Sequence, residues 1–393
     1  MSDVNTLYFT MGASLVLVLF KLFRGGLKDL ITPIILFYFY FSFGPVINFL
    51  LGNDIYFGIP KEYIPHATWI FFTAIATLTI GSTIWKPRKS LDINLLKYNL
   101  NILIPVFSLS ILYALYVIGM VIISGAQDKI AKIGIAVPGL HYNYLLLQIY
   151  LLAFYFLLKE GILKKLFYLN TILYILYSLV IGERDYIFPI VSILFHRFVF
   201  RPPGKREQLK LVAIMFLMLF LATGVFFLRD STQSSESVVS AVLNQGSLLF
   251  VNSFSLKLLE ERIDYFMGFT YLNSLLNLLP NWIYKTDFNT LEWFKNSYAA
   301  ASTSGYGYGL DAEGYINFSF LGVFLVFFFI LLWERKIVKH LGKHPFFTYY
   351  SVFFTGFTMY SLRNDSLAFL KGNLYAVIFF FIIYKLSWKK EIT

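Results

Sequence analysis

Long apolar stretches separated by short polar connections run through most of the chain. A helix needs about 20 mostly apolar residues to cross the roughly 30 Å hydrocarbon layer of a membrane. The stretches that approach or exceed this length are 7–22, 30–51, 65–85, 102–124, 142–158, 163–181, 186–200, 209–228, 315–333, 346–362 and 366–386. This pattern predicts an all-α polytopic integral membrane protein with about eleven transmembrane helices.

The composition agrees with this prediction. Hydrophobic residues make up 58% of the chain and charged residues only 14%, whereas a soluble domain holds about 25% charged residues. The apolar excess must therefore face lipid. The chain has no cysteine, which excludes disulfides, a thiolate nucleophile and a cysteine-based metal site.

The net charge of +11 carries information about topology. Most Lys and Arg residues lie in alternate connections, such as 86–97, 197–210 and 335–343. Because cytoplasmic loops are enriched in these residues, we expect the N-terminus outside and the C-terminus in the cytoplasm. The basic residues follow this alternation and form no patch suited to nucleic acid.

One predicted external loop is much longer than the others. Its apolar spacing over 238–262 predicts an amphipathic helix, and we expect such helices to lie on the outer membrane surface with Trp282 and Trp293 at headgroup level. The chain is thereby divided into three parts: 1–228 with transmembrane helices 1–8, 229–314 as the long external loop, and 315–393 with helices 9–11 and a cytoplasmic tail.

Four cationic side chains fall at or near the predicted outer ends of spans: Arg184, Arg229, Arg363 and Lys371. Each arginine has an acid close by in sequence, so any one of them could be an ordinary boundary residue paired with its neighbour. Three outer arginines nevertheless oppose the positive-inside bias, and an ionisable residue inside a span is costly and usually functional. Guanidinium groups bind phosphate through paired hydrogen bonds, so we expect an anionic ligand such as a lipid diphosphate.

Asp311 and Glu313 follow the glycine-rich segment Gly305–Gly309, where the long loop returns to the membrane. No histidine lies near these acids, which favours metal-free chemistry. The segment is similar in sequence to the potassium-channel selectivity filter, but no pair of pore helices flanks it. We therefore interpret its glycines as a flexible turn or as a turn that packs closely against a ligand. His66 and His141 are interpreted as surface or satisfied histidines. The chain has no phosphate-binding loop, nucleophile elbow or zinc-protease motif.

Three local patterns accompany this architecture. They are the segment Gly305–Gly322, with Tyr315-Ile-Asn317-Phe-Ser-Phe-Leu-Gly322 as a "Y-x-N-F-x-x-x-G" motif, the turn Gly182–Asp185, and the arginine turn within Ser361–Tyr375. Together with about eleven spans and one long loop late in the chain, they resemble the Wzy-type oligosaccharide repeat unit polymerases. Ser319 departs from the pattern, because the family more often has glycine there.

The resemblance implies a metal-independent glycosyltransferase of the GT-C type that needs no cofactor and acts at the outer face of the bacterial inner membrane. Its substrates would be undecaprenyl-diphosphate-linked oligosaccharides. The growing glycan would move from its lipid onto the non-reducing end of a new lipid-linked repeat unit. Membrane lipids and a chain-length regulator are the other partners it implies.

The resemblance also implies roles for particular residues. Arg184, Arg229, Arg363 and Lys371 would bind the diphosphate. Glu313 would take the proton of the acceptor hydroxyl or orient it, with Asp311 as the second candidate. The glycan would be bound by Tyr306, Tyr308, Trp293 and Asn317.

Two other functions remain open. An O-antigen ligase would carry a histidine in the long external loop alongside arginine, and residues 229–314 contain none. A lipid-linked oligosaccharide flippase or other transporter would place polar residues near the midplane of several spans, whereas the charges of this chain gather at one predicted face.

Overall fold

A computed structural model describes residues 3–53, 59–84, 100–200, 204, 238–244, 248–261, 264–279, 283–284, 286, 288–297, 307–341 and 344–387. Within these residues the chain forms helices and no strand. In chain order the α-helices are α1 Asp3–Gly25, α2 Ile31–Leu50, α3 Ile64–Ile84, α4 Leu103–Ser124, α5 Lys129–Ile135, α6 Pro138–Leu152, α7 Ile162–Ile181, α8 Ile187–Phe200, α9 Val238–Leu243, α10 Leu248–Glu261, α11 Phe269–Leu276, α12 Thr290–Ser297, α13 Leu310–His340, α14 Pro345–Ser361 and α15 Ser366–Ser387.

Eight helical segments among the described residues are long and apolar enough to cross a membrane. They are Val4–Arg24, Ile31–Leu50, Lys61–Ile84, Leu100–Ser124, Pro138–Leu157, Ile162–Ile181, Leu310–His340 and Ser366–Ser387. The prediction of an all-helical, multi-pass membrane protein is therefore confirmed.

Three other predicted spans are not among these eight segments: 186–200, 209–228 and 346–362. α8 has 14 residues and is about 21 Å long at 1.5 Å per residue, which is short for a straight crossing. α14 has 17 residues, and the predicted span 209–228 lies outside the described residues. The number eleven therefore stays a prediction.

Two compact units divide the chain. The first unit contains α1, α2 and α3, which pack on one another, and α9 and α10, which both pack against α2. Gly44 on α2 permits the close approach of α9, because a Cβ atom there would lie 2.5 Å from the carbonyl oxygen of Leu243. The predicted helix over 238–262 is thus two helices, and α10 buries most of its residues.

A break inside α13 shapes the region that carries the candidate acids. Phe318 (φ −143°, ψ 29°) and Ser319 (φ 54°, ψ −144°) are not helical, so α13 has a short arm (310–317) and a long arm (320–340). Residues eight apart in a continuous helix are about 12 Å apart along its axis. Here a Cβ atom on Gly322 would lie 1.9 Å from the Gly314 carbonyl oxygen, so the two arms touch at these glycines.

The second unit contains α4 to α8 together with the first part of α14 and the second part of α15. Three buried polar side chains join its helices: Ser110 of α4, Gln148 of α6 and Asn170 of α7. Gln148 donates to Ser110 (2.5 Å), Ser110 donates to Asn170 (2.6 Å), and Asn170 donates back to Gln148 (2.7 Å). This closed ring satisfies each group with its two neighbours.

Candidate functional site

The short arm of α13 directs Glu313 into the interior of the first unit, where the side chain is fully buried. Its Oε1 accepts hydrogen bonds from the hydroxyls of Thr270 (2.7 Å) and Ser366 (2.7 Å). Its Oε2 accepts from the backbone N–H of Ser366 (2.6 Å). Ser366 is the first residue of α15, so Glu313 satisfies one of the backbone donors that a helix N-terminus leaves open, and its carboxyl group lies at the positive end of the helix dipole.

Asn317 ties the same region together. Its Nδ2 donates to the Thr270 hydroxyl (2.7 Å) and to the Glu313 carbonyl (2.8 Å), while its Oδ1 accepts from the backbone N–H of Gly268 (2.9 Å). The hydroxyl of Ser366 also lies 2.9 Å from that of Ser274. The predicted glycan-binding residue Asn317 is fully buried and in this structure holds α11 against the short arm.

Asp311 is also buried and hydrogen-bonded. Its Oδ2 accepts from the Tyr38 hydroxyl (2.7 Å) and from Asn252 (3.0 Å), and its Oδ1 accepts from the backbone N–H of Ala312 (2.9 Å). Asp311 therefore connects the short arm to α2 and α10, as Glu313 connects it to α11 and α15.

The Arg363 turn, residues 361–366, joins α14 to α15 and is enclosed by these groups. The guanidinium carbon of Arg363 lies 5.0 Å from the ring centroid of Phe41, within the range of cation–π attraction. A Cβ atom on Gly307 would lie 2.1 Å from the Arg363 carbonyl oxygen, so only glycine permits the glycine-rich segment to pack this closely. Asp365 caps α15 by accepting from the Ala368 N–H (2.9 Å), and burial raises the pKa of its carboxyl.

Of the predicted site residues, the first unit thus brings together Asp311, Glu313, Asn317 and Arg363. Lys371 lies exposed on α15, and Trp293 is half-buried on α12, with its ring nearly perpendicular to that of Phe266 and the ring centroids 5.0 Å apart. Tyr308 is 1% exposed and packs on Phe294, and burial raises the pKa of its phenol well above the usual value. The predictions for Arg229 and Tyr306 lie outside the described residues.

Arg184 belongs to the second unit, where it is half-buried in the turn between α7 and α8. The preceding residue, Glu183, accepts from Lys129 at 2.8 Å and lies 3.3 Å from Nε2 of His141. The other ring nitrogen of His141 is 2.7 Å from the Tyr177 hydroxyl. His141 is therefore a satisfied buried histidine, whereas His66 is exposed and bonds the Tyr315 hydroxyl (2.8 Å).

Sequence reasoning did not find the partners of the acids. Thr270, Ser366, Tyr38 and Asn252 are common residue types with no motif around them, and they lie between 43 and 273 residues from the acids that they bond. Among the described residues, no group of three or more His, Asp or Glu side chains is arranged to hold a metal ion.

Fold and site together define the class of the protein: an all-helical, multi-pass membrane protein in which buried carboxylates fasten an arginine-bearing turn. Comparison with protein-family models, with curated proteins and with solved structures finds no match to this chain.

Proposed function

We propose that this chain is a polysaccharide polymerase of the bacterial cytoplasmic membrane, with about eleven spans, its N-terminus outside and its C-terminus in the cytoplasm. It transfers a growing glycan from undecaprenyl diphosphate to the non-reducing end of a new lipid-linked repeat unit at the outer face. The bond between the anomeric carbon and the diphosphate oxygen breaks, and the acceptor hydroxyl oxygen forms the new glycosidic bond. Undecaprenyl diphosphate leaves with the electron pair, and the hydroxyl proton passes to a base.

The observation that supports this proposal most is that packing and hydrogen bonds hold the Arg363 turn in place. Arg363 is half-buried, its guanidinium stacks on Phe41, and its backbone is enclosed by Gly307 and by the hydrogen bonds of Glu313 to Ser366. An arginine held in this way is preorganised and pays little reorganisation when charge develops on a leaving group. A diphosphate with fixed negative charge and several acceptor oxygens suits such a site.

Lys371, on α15 of the same unit, is the second cation of the proposed diphosphate site, and Arg184 and Arg229 stay candidates predicted from the sequence. Such a set would stabilise the leaving diphosphate without a metal ion. Asp311 and Glu313 are the candidate groups for activation or orientation of the acceptor hydroxyl. Both already accept three hydrogen bonds within the protein.

The first test is the surface-polysaccharide profile of a strain that lacks this gene. We expect lipid A core carrying a single repeat unit, restored to a ladder by the wild-type copy. Bare core with accumulated polymerised lipid-linked chains would identify a ligase instead. An unchanged ladder would remove both functions and leave transport.

Arginine variants of the complementing copy test the site itself. We expect Arg363→Ala to insert in the membrane normally but to lower chain elongation by about 100-fold or more, because a preorganised charge on the leaving group is lost. Arg363→Lys should also lose most activity, since a point charge does not reproduce paired hydrogen bonds. Arg24→Ala, which removes an exposed arginine at the end of α1, is the matched control and should keep the ladder.

Buried polar side chains within transmembrane helices could indicate a transporter. The second unit contains three that form a ring: Ser110, Gln148 and Asn170. These groups bond one another in a closed ring, which is how polar side chains join transmembrane helices. A substrate pathway requires polar groups that are open to a ligand. The ring therefore favours helix association, and the polymerase remains the proposal.

A further inference from the structure

Glu313 is a fully buried acid whose carboxylate accepts three hydrogen bonds, from Thr270 and Ser366. We infer that Glu313 is a positioning residue: its carboxylate, through Thr270 and Ser366, fixes the Arg363 turn for binding of the lipid diphosphate and does not take the proton of the acceptor. This inference rests on the proposed function, because it assigns a role within the same site.

Three hydrogen-bond donors occupy both oxygens of the Glu313 carboxylate. A general base needs an oxygen within about 2.6–3.2 Å of the proton that it removes. Both oxygens of Glu313 already accept hydrogen bonds at 2.6–2.7 Å, from two hydroxyls and one backbone N–H. The side chain is 0% exposed. An acceptor sugar would have to displace Thr270 or Ser366, and each of these is itself held by a further residue, Asn317 or Ser274.

Glu313 is connected to Arg363 through the first residue of α15. Ser366, which donates two of the three hydrogen bonds to Glu313, is three residues beyond Arg363 and begins α15. On the other side of the turn, the backbone of Gly307 touches the Arg363 carbonyl. Gly307 leads directly into the short arm that carries Glu313. The segment 307–317 therefore contacts the Arg363 turn at two places, through Gly307 and through Glu313, and loss of the carboxylate releases the second contact.

The Glu313 carboxylate also joins three elements of the first unit. Thr270 is bonded both to Glu313 and to Asn317, so α11, the short arm and α15 meet at one carboxylate. A charged acceptor strengthens each of these hydrogen bonds. A neutral glutamine keeps an acceptor oxygen for the hydroxyls but turns an amide N–H₂ towards the Ser366 N–H, where two donors meet.

The experiment measures binding of two lipids, undecaprenyl diphosphate and undecaprenyl phosphate, to the purified full chain in detergent, together with the thermal unfolding midpoint. The variants are Glu313→Gln, Thr270→Val and Ser366→Ala, with Thr270→Ser and Ser366→Thr as conservative partners. Glu292→Gln is the matched control, because Glu292 is an exposed acid on α12 of the same unit. Thr270→Val and Ser366→Ala keep the test informative if Glu313→Gln does not fold.

We expect Glu313→Gln to raise the Kd for undecaprenyl diphosphate by about tenfold or more, equivalent to about 1.4 kcal/mol. Binding of the monophosphate should change less, because the selectivity for diphosphate depends on the position of Arg363. Thr270→Val and Ser366→Ala should show smaller losses of the same kind. The conservative partners and Glu292→Gln should bind like the wild type.

Three results would overturn the assignments, and they are distinguishable. Normal diphosphate binding by Glu313→Gln with no elongation in cells would make Glu313 the base. Equal loss of both lipids with a lowered unfolding midpoint, and no rescue by the conservative variants, would make its role purely structural. Absence of undecaprenyl diphosphate binding by the wild type would instead remove the proposed function.

Discussion

At the scale of single residues, the motif that includes Tyr315, Asn317, Ser319 and Gly322 has a physical basis. Tyr315 bonds His66, Asn317 bonds Thr270 and Gly268, and Gly322 touches Gly314. Ser319 lies at the break of α13 with φ 54° and ψ −144°, a region that glycine occupies freely and other residues rarely. Ser319 therefore occupies a backbone conformation that suits glycine better than serine.

The break predicts how the chain responds to substitution at Ser319. We expect Ser319→Gly to be more stable than Ser319→Ala by about 1–3 kcal/mol, because both variants lose the hydroxyl but only glycine relieves the backbone strain. Thermal unfolding in detergent measures the difference. Ser82→Gly, within regular α3, should lower stability by about 0.5–1 kcal/mol. Equal stability of the Gly and Ala variants at 319 would mean that the break carries no strain.

At the scale of elements, Glu183 joins the connection before α6 to the turn after α7. Lys129 of α5 donates to it, while Nε2 of His141 lies 3.3 Å from Glu183 and Nδ1 of the same ring lies 2.7 Å from the Tyr177 hydroxyl. Burial opposes ionisation of this carboxyl, but the hydrogen bond from His141 and the charge of Lys129 outweigh burial and lower the pKa of Glu183 to about 2. This linkage fixes the turn that carries Arg184.

Because the pKa of Glu183 is lowered on folding, the contribution of this residue to stability should depend on pH. A carboxylate whose pKa falls on folding adds stability above its unfolded pKa, and that stability is lost as the pH falls towards the folded value. We therefore expect wild type to exceed Glu183→Gln in stability by about 1.5–3 kcal/mol near neutral pH. The difference should shrink between about pH 5 and about pH 2.

Thermal unfolding of both proteins across this pH range measures the effect. Glu160→Gln is the control, because Glu160 is an exposed acid paired with Lys164 and should show almost no difference. A constant difference between wild type and Glu183→Gln at all pH values would contradict an ionised Glu183.

At the scale of the whole molecule, the alternation of basic connections predicts the orientation of every span. We expect a fluorescent protein fused after Thr393 to fluoresce and alkaline phosphatase at the same place to be inactive, because the C-terminus is predicted to be cytoplasmic. Phosphatase inserted after Gly204, in a basic connection predicted to be cytoplasmic, should be inactive, whereas insertion after Gly52 should give activity. Activity at the C-terminus would reverse the proposed topology and move the Arg363 turn to the cytoplasmic face.

The sequence by itself determined that this is a multi-pass helical membrane protein. Apolar stretches of span length are a local property, since a helix satisfies its own backbone hydrogen bonds in lipid whatever its neighbours do. For the same reason the bounds of α2, α3, α4, α7 and α15 fall within a few residues of the predicted spans. The glycine-rich segment and the turns with Arg184 and Arg363 were also visible as local patterns.

Only the tertiary structure decided what the acids touch. Glu313 meets Thr270 and Ser366 across 43 and 53 residues of sequence, and Asp311 meets Tyr38 across 273. Hydroxyl and amide partners at such separations leave no periodic signal, because their positions depend on how helices pack. The break at Ser319 was hidden for a related reason: its backbone is set by the contact of Gly314 with Gly322, while the surrounding residues remain apolar and helix-like in sequence.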